Sequence, residues 1–452
     1  MSRPATDLPG SVDSTAPPRL PPSGRAALRG GVIGNYVDQI HIFLPLVALA
    51  PALATLAGPH ASATTASVVV LAMLLGRPVG GMVFGRIADR WGRTRTTRLA
   101  ITGTALCSIG IALMPTHALI GPAAIALVLL LRFLGGVFIA GEYSAAIPLA
   151  MEWSRPRQRG LVSGLIMAMA PWAQASIAFG TLALLLTLGP ESYAVWGWRV
   201  LFLAGALGSL GMLGYYRRHV TDAPVFRRDR AAVGSGTSGA PHLRALLIGP
   251  WRGVFWQMFG LMTGLWFLTQ MTVINLPARL KGGVGLSATQ LSIAMGTAAV
   301  VQALGMSLTG HLSTRLGRRT FFVLWGLLAA VAGPLAWAWT VGRESVGSAT
   351  FGASVLQVVT VTAYGPIGAY LSERLPTAIR ATGYGTAYSL SIVIPALHPF
   401  YLPWVQARLG HSAAVVALLV LGGLLVTGCG ALGPRLAPRD IDADIEAVAA
   451  RA

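Results

Sequence analysis

The feature that most constrains this chain is the recurrence of apolar runs of roughly 20 residues, each long enough to cross a bilayer as a helix. About twelve runs can be delimited, at 31–57, 65–87, 97–116, 121–148, 160–188, 198–216, 253–276, 287–312, 320–341, 347–371, 381–407 and 411–432. Charged residues make up only 11% of the sequence, against about 25% in a soluble domain. Such a chain cannot bury its apolar surface in water-facing domains. The expected fold class is an all-α membrane protein.

The net charge of +19 would suit nucleic acid, but its distribution argues for a bilayer instead. Arginines crowd alternate connections: 86–98, 155–159, 217–252, 315–319, 374–380 and 435–439. The connections between are poor in positive charge. This alternation is the positive-inside pattern, and it implies a multi-pass protein of the cell (inner or plasma) membrane with both termini cytoplasmic. Residues 1–30, rich in Pro, Ser and Arg, are expected to be a disordered cytoplasmic tail. No short apolar region with a small-residue cleavage site follows, so the first apolar run is expected to be retained. The connection 217–252 holds RRDR and GSGTSG and is expected to be a cytoplasmic central linker. The tail 433–452 ends in an acidic amphipathic stretch, expected to be a loose cytoplasmic helix. Cys107 and Cys429 lie inside apolar runs and read as small buried hydrophobes.

The chain repeats itself. Gly85, Arg90, Gly92 and Arg93 after the second run recur with identical spacing as Gly310, Arg315, Gly317 and Arg318 after the eighth. Glu152, Pro156 and Arg159 between the fourth and fifth runs recur as Glu373, Pro376 and Arg380 between the tenth and eleventh. A six-helix unit at 31–216 is thus duplicated at 253–432. Transporters built from parallel repeats hold substrate between the halves near the midplane.

The first run opens with GNYVDQIHIFLPL, from Gly34 to Leu46. A carboxylate at bilayer depth costs roughly 2.5–3.5 kcal/mol even on the lenient insertion scale. On a helix Asn35, Asp38 and His41 share one face. Either they turn toward a cavity, or Asn35 and Asp38 cap a span end near the headgroups. Pro45 cannot donate to the His41 carbonyl and allows a kink. Glu142 lies deep in the fourth run and is the stronger candidate for carrying a proton, with Asp38 and His41 beside it. Arg132 is ten residues earlier, about 15 Å along a helix, too far to pair with Glu142. Arg77 can pair with Asp38 or a backbone carbonyl, or face substrate. Two cavity cations would suit an anion, most simply a carboxylate. In the second half Gln270, Asn275, Gln302, Gln357 and Tyr364 read mainly as helix–helix hydrogen-bond partners. Tyr384 and Tyr388, which share a face, and His398, beside Pro399, are further substrate candidates. An aromatic cage for a quaternary amine stays open.

Enzyme readings find no support. The sole lysine, Lys281, precedes Gly282, so no phosphate loop is encoded. There is no H-E-x-x-H, no metal-ligand spacing and no nucleophile elbow. No cofactor or metal is expected.

GRIADRWGRTR, from Gly85 to Arg95, resembles the loop motif G-x-x-x-D-R-x-G-R-x-R of the major facilitator superfamily. Several further stretches, in order, resemble its metabolite–proton symporter branch. They are GN-x-x-D at Gly34, GRPVGG at Gly76, AGEYSAA at Ala140, WGWRVLFLAG at Trp196, DAPVF at Asp222 and YGPIGAYLSERLPTAIRATGYG at Tyr364. The resemblance implies two pseudo-symmetric six-helix bundles that alternate access to a central site. It implies proton-coupled symport of a small organic anion, with sodium as a possible ion. Alternatives are a symporter of betaine- or proline-like zwitterions, or a transporter-derived sensor without flux. The expected partners are a small-molecule substrate, protons and the bilayer, with no nucleic acid, for a monomer. By the same resemblance Asp89 is expected to bind a helix N-terminus of the opposite half near the eleventh span. It would form a cytoplasmic gate with Gly85, Arg90, Gly92, Arg93, Arg95, Glu152, Arg159, Glu373 and Arg380. The sequence departs from the family at Asp38, Gln39 and His41, where glutamate, tryptophan and aspartate stand. It departs again at Thr314, where an acid would match Asp89.

Overall fold

The computed structural model describes residues 20–58, 63–226, 242–343, 345–436 and 438–451. The expected disordered tail as far as residue 19, and the RRDR and GSGTSG segments of the linker, lie outside them. Six helices come from the first half: α1 (Pro22–Phe43), α2 (Ala63–Trp91), α3 (Arg93–Ala112), α4 (Ala123–Trp153), α5 (Arg159–Ser192) and α6 (Trp198–His219). Their counterparts are α7 (Arg252–Thr269), α8 (Ala288–Leu316), α9 (Arg318–Val341), α10 (Val346–Val361), α11 (Thr377–Leu390) and α12 (His411–Ala431). A short α13 (Ile445–Arg451) closes the chain.

Within the first half, α4 packs on α2 and α3, and α1 packs on α4, α5 and α6. Within the second, α12 packs on α7 and α9, and α10 on α8 and α9. The halves meet where α2 and α4 touch α11 and where α5 touches α8. Eight stretches among the described residues are long and apolar enough to cross a membrane, nine if the bent first helix is included. One of these, Pro156–His219, contains both α5 and α6. The shortfall from about twelve has local causes. Arginines 93, 95 and 98 crowd the start of α3, and α11 stops after Leu390 before resuming as Val393–Ala396 and His398–Leu409.

Prolines set where helices break, and side chains repair the breaks. A proline leaves the carbonyl four residues earlier without its helical donor, and lipid offers no substitute. Pro45 frees the His41 carbonyl, which accepts from Arg132 Nη1 at 3.0 Å. Pro366 denies the Thr362 carbonyl its α-helical donor, and that carbonyl accepts instead from the Gly365 amide at 2.9 Å and from Thr309 Oγ1 at 2.6 Å. Single π-turns follow α1 at Leu44–Ala48 and α7 at Gln270–Asn275, so the duplicated helices carry the same irregularity at matching places.

The first helix begins at Pro22, earlier than the expected 31. Pro22 occupies the first helical turn, where its missing N–H costs nothing. Ala26 and Ala27 are buried in a cluster with Trp153 and Tyr216. The tail helix is likewise not loose: Ile445, Val448 and Ala449 of α13 are buried. The glycines repeated after α2 and α8 have one role. Gly92 (φ 105°) and Gly317 (φ 84°) make the turns into α3 and α9 in a conformation that side chains resist.

Glycine also lets α2 touch α4: a Cβ on Gly80 would lie 2.1 Å from the Val137 carbonyl oxygen. Gly80→Ala is therefore expected to destabilise by about 1–3 kcal/mol through overpacking. Gly211→Ala, where a Cβ meets nothing within 4 Å, is expected to be neutral or stabilising. Thermal unfolding midpoints of the purified variants check the pair; equal midpoints would contradict the packing.

Candidate functional site

A cavity of about 100 Å³ lies between the halves, with walls from both. Gln39 of α1, Arg77 of α2 and Tyr143 of α4 face Trp266 of α7, Tyr364 after α10 and Tyr388 of α11. A second space of about 300 Å³ adjoins it on the side away from the arginine-rich connections, sharing Leu46, Val70, Leu74, Gln270 and Ile274. Toward the arginine-rich end the halves are in contact. A Cβ on Gly81 would lie 2.4 Å from the Gly385 carbonyl oxygen, and one on Gly164 would lie 2.7 Å from that of Met306.

Arg77 is 2% exposed, and its guanidinium lies among three rings. The centroids are at 5.1 Å for Tyr143, 5.4 Å for Trp266 and 5.4 Å for Tyr388. Each such contact is worth upward of about 0.5–1 kcal/mol, more when desolvated. The rings hold one another: Tyr143 stacks on Tyr388 at 5.0 Å, and Trp266 Nε1 donates to the Tyr388 carbonyl at 3.1 Å. Gln39 Nε2 donates to the Tyr143 hydroxyl. Within this enclosure Arg77 Nε and Nη2 are buried and have no hydrogen-bond partner among the described residues.

Asp38 and Glu142 stand one residue behind this wall, next to Gln39 and Tyr143. Both are buried. The two carboxyls interact with each other, and Thr104 Oγ1 donates to Glu142 Oε1 at 3.4 Å. Two neighbouring buried carboxyls disfavour being ionised together. Asp38 Oδ1 has no partner among the described residues, and the Asp38 and Arg77 charges are near enough to attract.

The other candidates fall elsewhere. His41 faces α6, with Nε2 2.8 Å from Ser209 Oγ. Arg132 lines neither cavity. Its Nη1 holds the proline-freed His41 carbonyl and its Nη2 reaches the Met73 sulfur, so it braces the bend of α1. The expected pair of cavity cations is therefore one cation, Arg77. Asn35 Nδ2 donates to the Ile166 carbonyl at 2.5 Å and ties α1 to α5. Tyr384 stacks behind Tyr388, ring centroids 5.9 Å apart, outside the cavity lining. His398 lines the outer space, with Nδ1 3.2 Å from the Pro395 carbonyl. Gln39, one of the polar residues of the opening stretch, does line the cavity, whereas Tyr143 and Trp266 are not among the sequence candidates. Tyr143 carried a signal, since it adjoins Glu142.

The Major Facilitator Superfamily model matches residues 40–397. The chain belongs to the Major Facilitator Superfamily. It is similar to the Escherichia coli inner membrane metabolite transport protein YhjE, 28% identical over 395 residues covering 85% of each chain. It is 30% identical to the alpha-ketoglutarate permease of the same organism, covering 73% of this chain and 74% of that one. It is 26% identical to the E. coli proline/betaine transporter, covering 89% and 82%. The fold matches that of the proton:xylose symporter XylE with a TM-score of 0.72 at 15% identity, covering 90% and 94%. The protein is thus a member of a transporter superfamily and not of an enzyme family.

The conserved architecture of a major facilitator is closed here by charge at the arginine-rich end. Asp89 accepts from the Ala381 and Thr382 amides at 3.0 and 2.8 Å and from Thr382 Oγ1 at 2.6 Å, all at the start of α11. Arg93 sits 3.4 Å from Asp89 and 3.0 Å from Glu152, and Arg380 meets the same Glu152 oxygen at 2.9 Å. At the matching place in the second half, Glu373 takes two bonds of 3.0 Å from Arg318 and one of 3.4 Å from Arg159. Thr314 accepts only from Arg318, at 3.1 Å. The C-terminal segment adds ties. Glu446 accepts from the Thr377 amide at 3.1 Å and pairs with Arg380, and the Ala443 carbonyl accepts from Arg159 at 3.2 Å. Arg90 and Arg95 are exposed beside this network. Asp222, in the DAPVF stretch, accepts from the Thr94 amide at 2.8 Å and caps α3. The sequence reading assigned no role to Asp222, Arg318 or Glu446, though Arg318 repeats Arg93.

Asp89→Ala removes three hydrogen bonds between the halves. In a background lacking Cys107 and Cys429, Ser163→Cys at the α5 interface is expected to label several-fold faster with a bulky maleimide when Asp89→Ala is added. Unchanged labelling would mean that Asp89 does not hold the halves together.

Proposed function

We propose that the protein is an inner-membrane symporter that carries a small organic anion together with a proton by alternating access. The observation that carries this reading is the pairing of Arg77, a cavity-lining cation with two unpartnered donors, and a buried two-carboxyl site next in sequence to the wall residues Gln39 and Tyr143. With a proton on the pair, Arg77 faces one negative charge from it and not two, and so holds an anion more tightly. With the proton lost, the added negative charge draws on Arg77 and weakens anion binding. By linkage the bound anion favours the protonated pair to the same extent. A coupling of about 1–3 kcal/mol, typical of linked sites, corresponds to roughly 5–150-fold in affinity.

Positive-inside placement supports a cytoplasmic location for the arginine-rich end and both termini. On that assignment the closed side is the cytoplasmic one and the outer space leads out of the cell. Asp89, Glu152, Glu373 and their arginines then act as the gate that must part for release. The name of the alpha-ketoglutarate permease favours an anion, and those of the proline/betaine transporters favour a zwitterion. The single cation in the cavity wall favours the anion.

Glu142→Gln and Asp38→Asn test the coupling in proteoliposomes. Uptake of a labelled carboxylate driven by an inward-acid gradient is expected to fall at least tenfold in each, while exchange without a gradient persists. Full gradient-driven uptake in both variants would remove the pair from the mechanism.

A further inference from the structure

We infer that the anion is a compact monocarboxylate with a largely apolar body, held by a two-point contact on the free edge of Arg77. This rests on the symport reading above and names the substrate class of the same site.

The edge sets the first group. Nε–H and Nη2–H lie side by side in the guanidinium plane and match the two oxygens of one carboxylate. They are buried and unpartnered among the described residues. The three rings packed around the guanidinium hold it in place before the ligand arrives.

Charge count sets the second limit. Arg77 is the only Lys, Arg or His among the residues lining the central cavity, and no Asp or Glu lines it. A second carboxylate would be buried without a counter-charge, at a cost of several kcal/mol. A quaternary ammonium fares no better, because the faces of Tyr143, Trp266 and Tyr388 already receive the Arg77 cation. The rest of the wall is mainly aliphatic and aromatic, broken by the amides of Gln39, Gln174, Gln270 and Gln302. These suit one neutral hydroxyl or keto group.

Volume sets the third. A water needs about 10–15 Å³ of such space, so a cavity of about 100 Å³ takes a ligand of roughly seven to ten heavy atoms.

Benzoate, glutarate and glycine betaine are close in bulk and differ in charge pattern. Each is titrated onto the purified full-length protein in detergent, following the unfolding midpoint and tryptophan fluorescence. Benzoate is expected to raise the midpoint and saturate at least tenfold below glutarate, with no shift from glycine betaine. Arg77→Lys keeps the charge and loses the two-point edge. It is expected to weaken benzoate at least tenfold, while Gln406→Ala in the outer space leaves it unchanged. If Arg77→Lys does not fold, the wild-type order alone decides. Glutarate binding as tightly as benzoate, or glycine betaine binding more tightly, would overturn the inference. So would benzoate binding that Arg77→Lys leaves intact. Gradient-driven uptake of glutarate but not benzoate would overturn the inference and leave proton-coupled symport standing. Benzoate binding with uptake indifferent to the proton gradient would do the reverse.

Discussion

No charge can stand alone in a bilayer, and the placement of four of them organises this protein. Arg132 spends its charge on a carbonyl that Pro45 sets free, and so fixes the bend of α1. Asp38 and Glu142 are buried next to each other, where two carboxylates disfavour being ionised together and titrate as a pair. Arg77 is enclosed by three aromatic rings, with Nε and Nη2 left without a hydrogen-bond partner among the described residues. The first is architecture. The other three form a device in which one cation answers either to the carboxyl pair or to a visiting anion.

The same physics divides the two ends. Toward the arginine-rich end the halves are joined by glycine contacts and by carboxylates that bridge between bundles, such as Glu152 between Arg93 and Arg380. Toward the other end they are separated by the larger space and by π-turns in the duplicated helices α1 and α7. The two halves are not equivalent at the closed end. Asp89 grips α11 directly, while Thr314 at the matching position carries no charge. Glu373 and the C-terminal segment bridge to Arg159 there instead.

Much of this was legible in the sequence, because it depends on periodicity and repetition. The apolar runs and the duplicated Gly–Arg motif led to paired bundles, and the family match bears out that fold. What stayed hidden depends on direction. Asp38 and His41 share a helix face by spacing, yet one meets Glu142 and the other meets Ser209 on α6. Arg132 and Arg77 look alike as buried arginines, and only the proline four residues after His41 hinted at which carbonyl would claim one of them. The aromatic box needs Trp266 and Tyr388 from the opposite half, which no local pattern aligns with Tyr143. The tail read as loose because its acidic residues had no visible partners; they are arginines in distant connections.

The central claim is that an anion at Arg77 and a proton on the Asp38–Glu142 pair bind together. Proton uptake on ligand addition tests it most directly, using purified protein in weak buffer with a pH indicator and the carboxylate that binds most tightly. The expected result is net uptake of roughly 0.4–0.85 proton per bound anion for a 5–150-fold coupling, greatest between the midpoints of the free and the anion-bound pair and lost in Glu142→Gln. Saturating anion binding with no proton taken up at any pH would contradict the account.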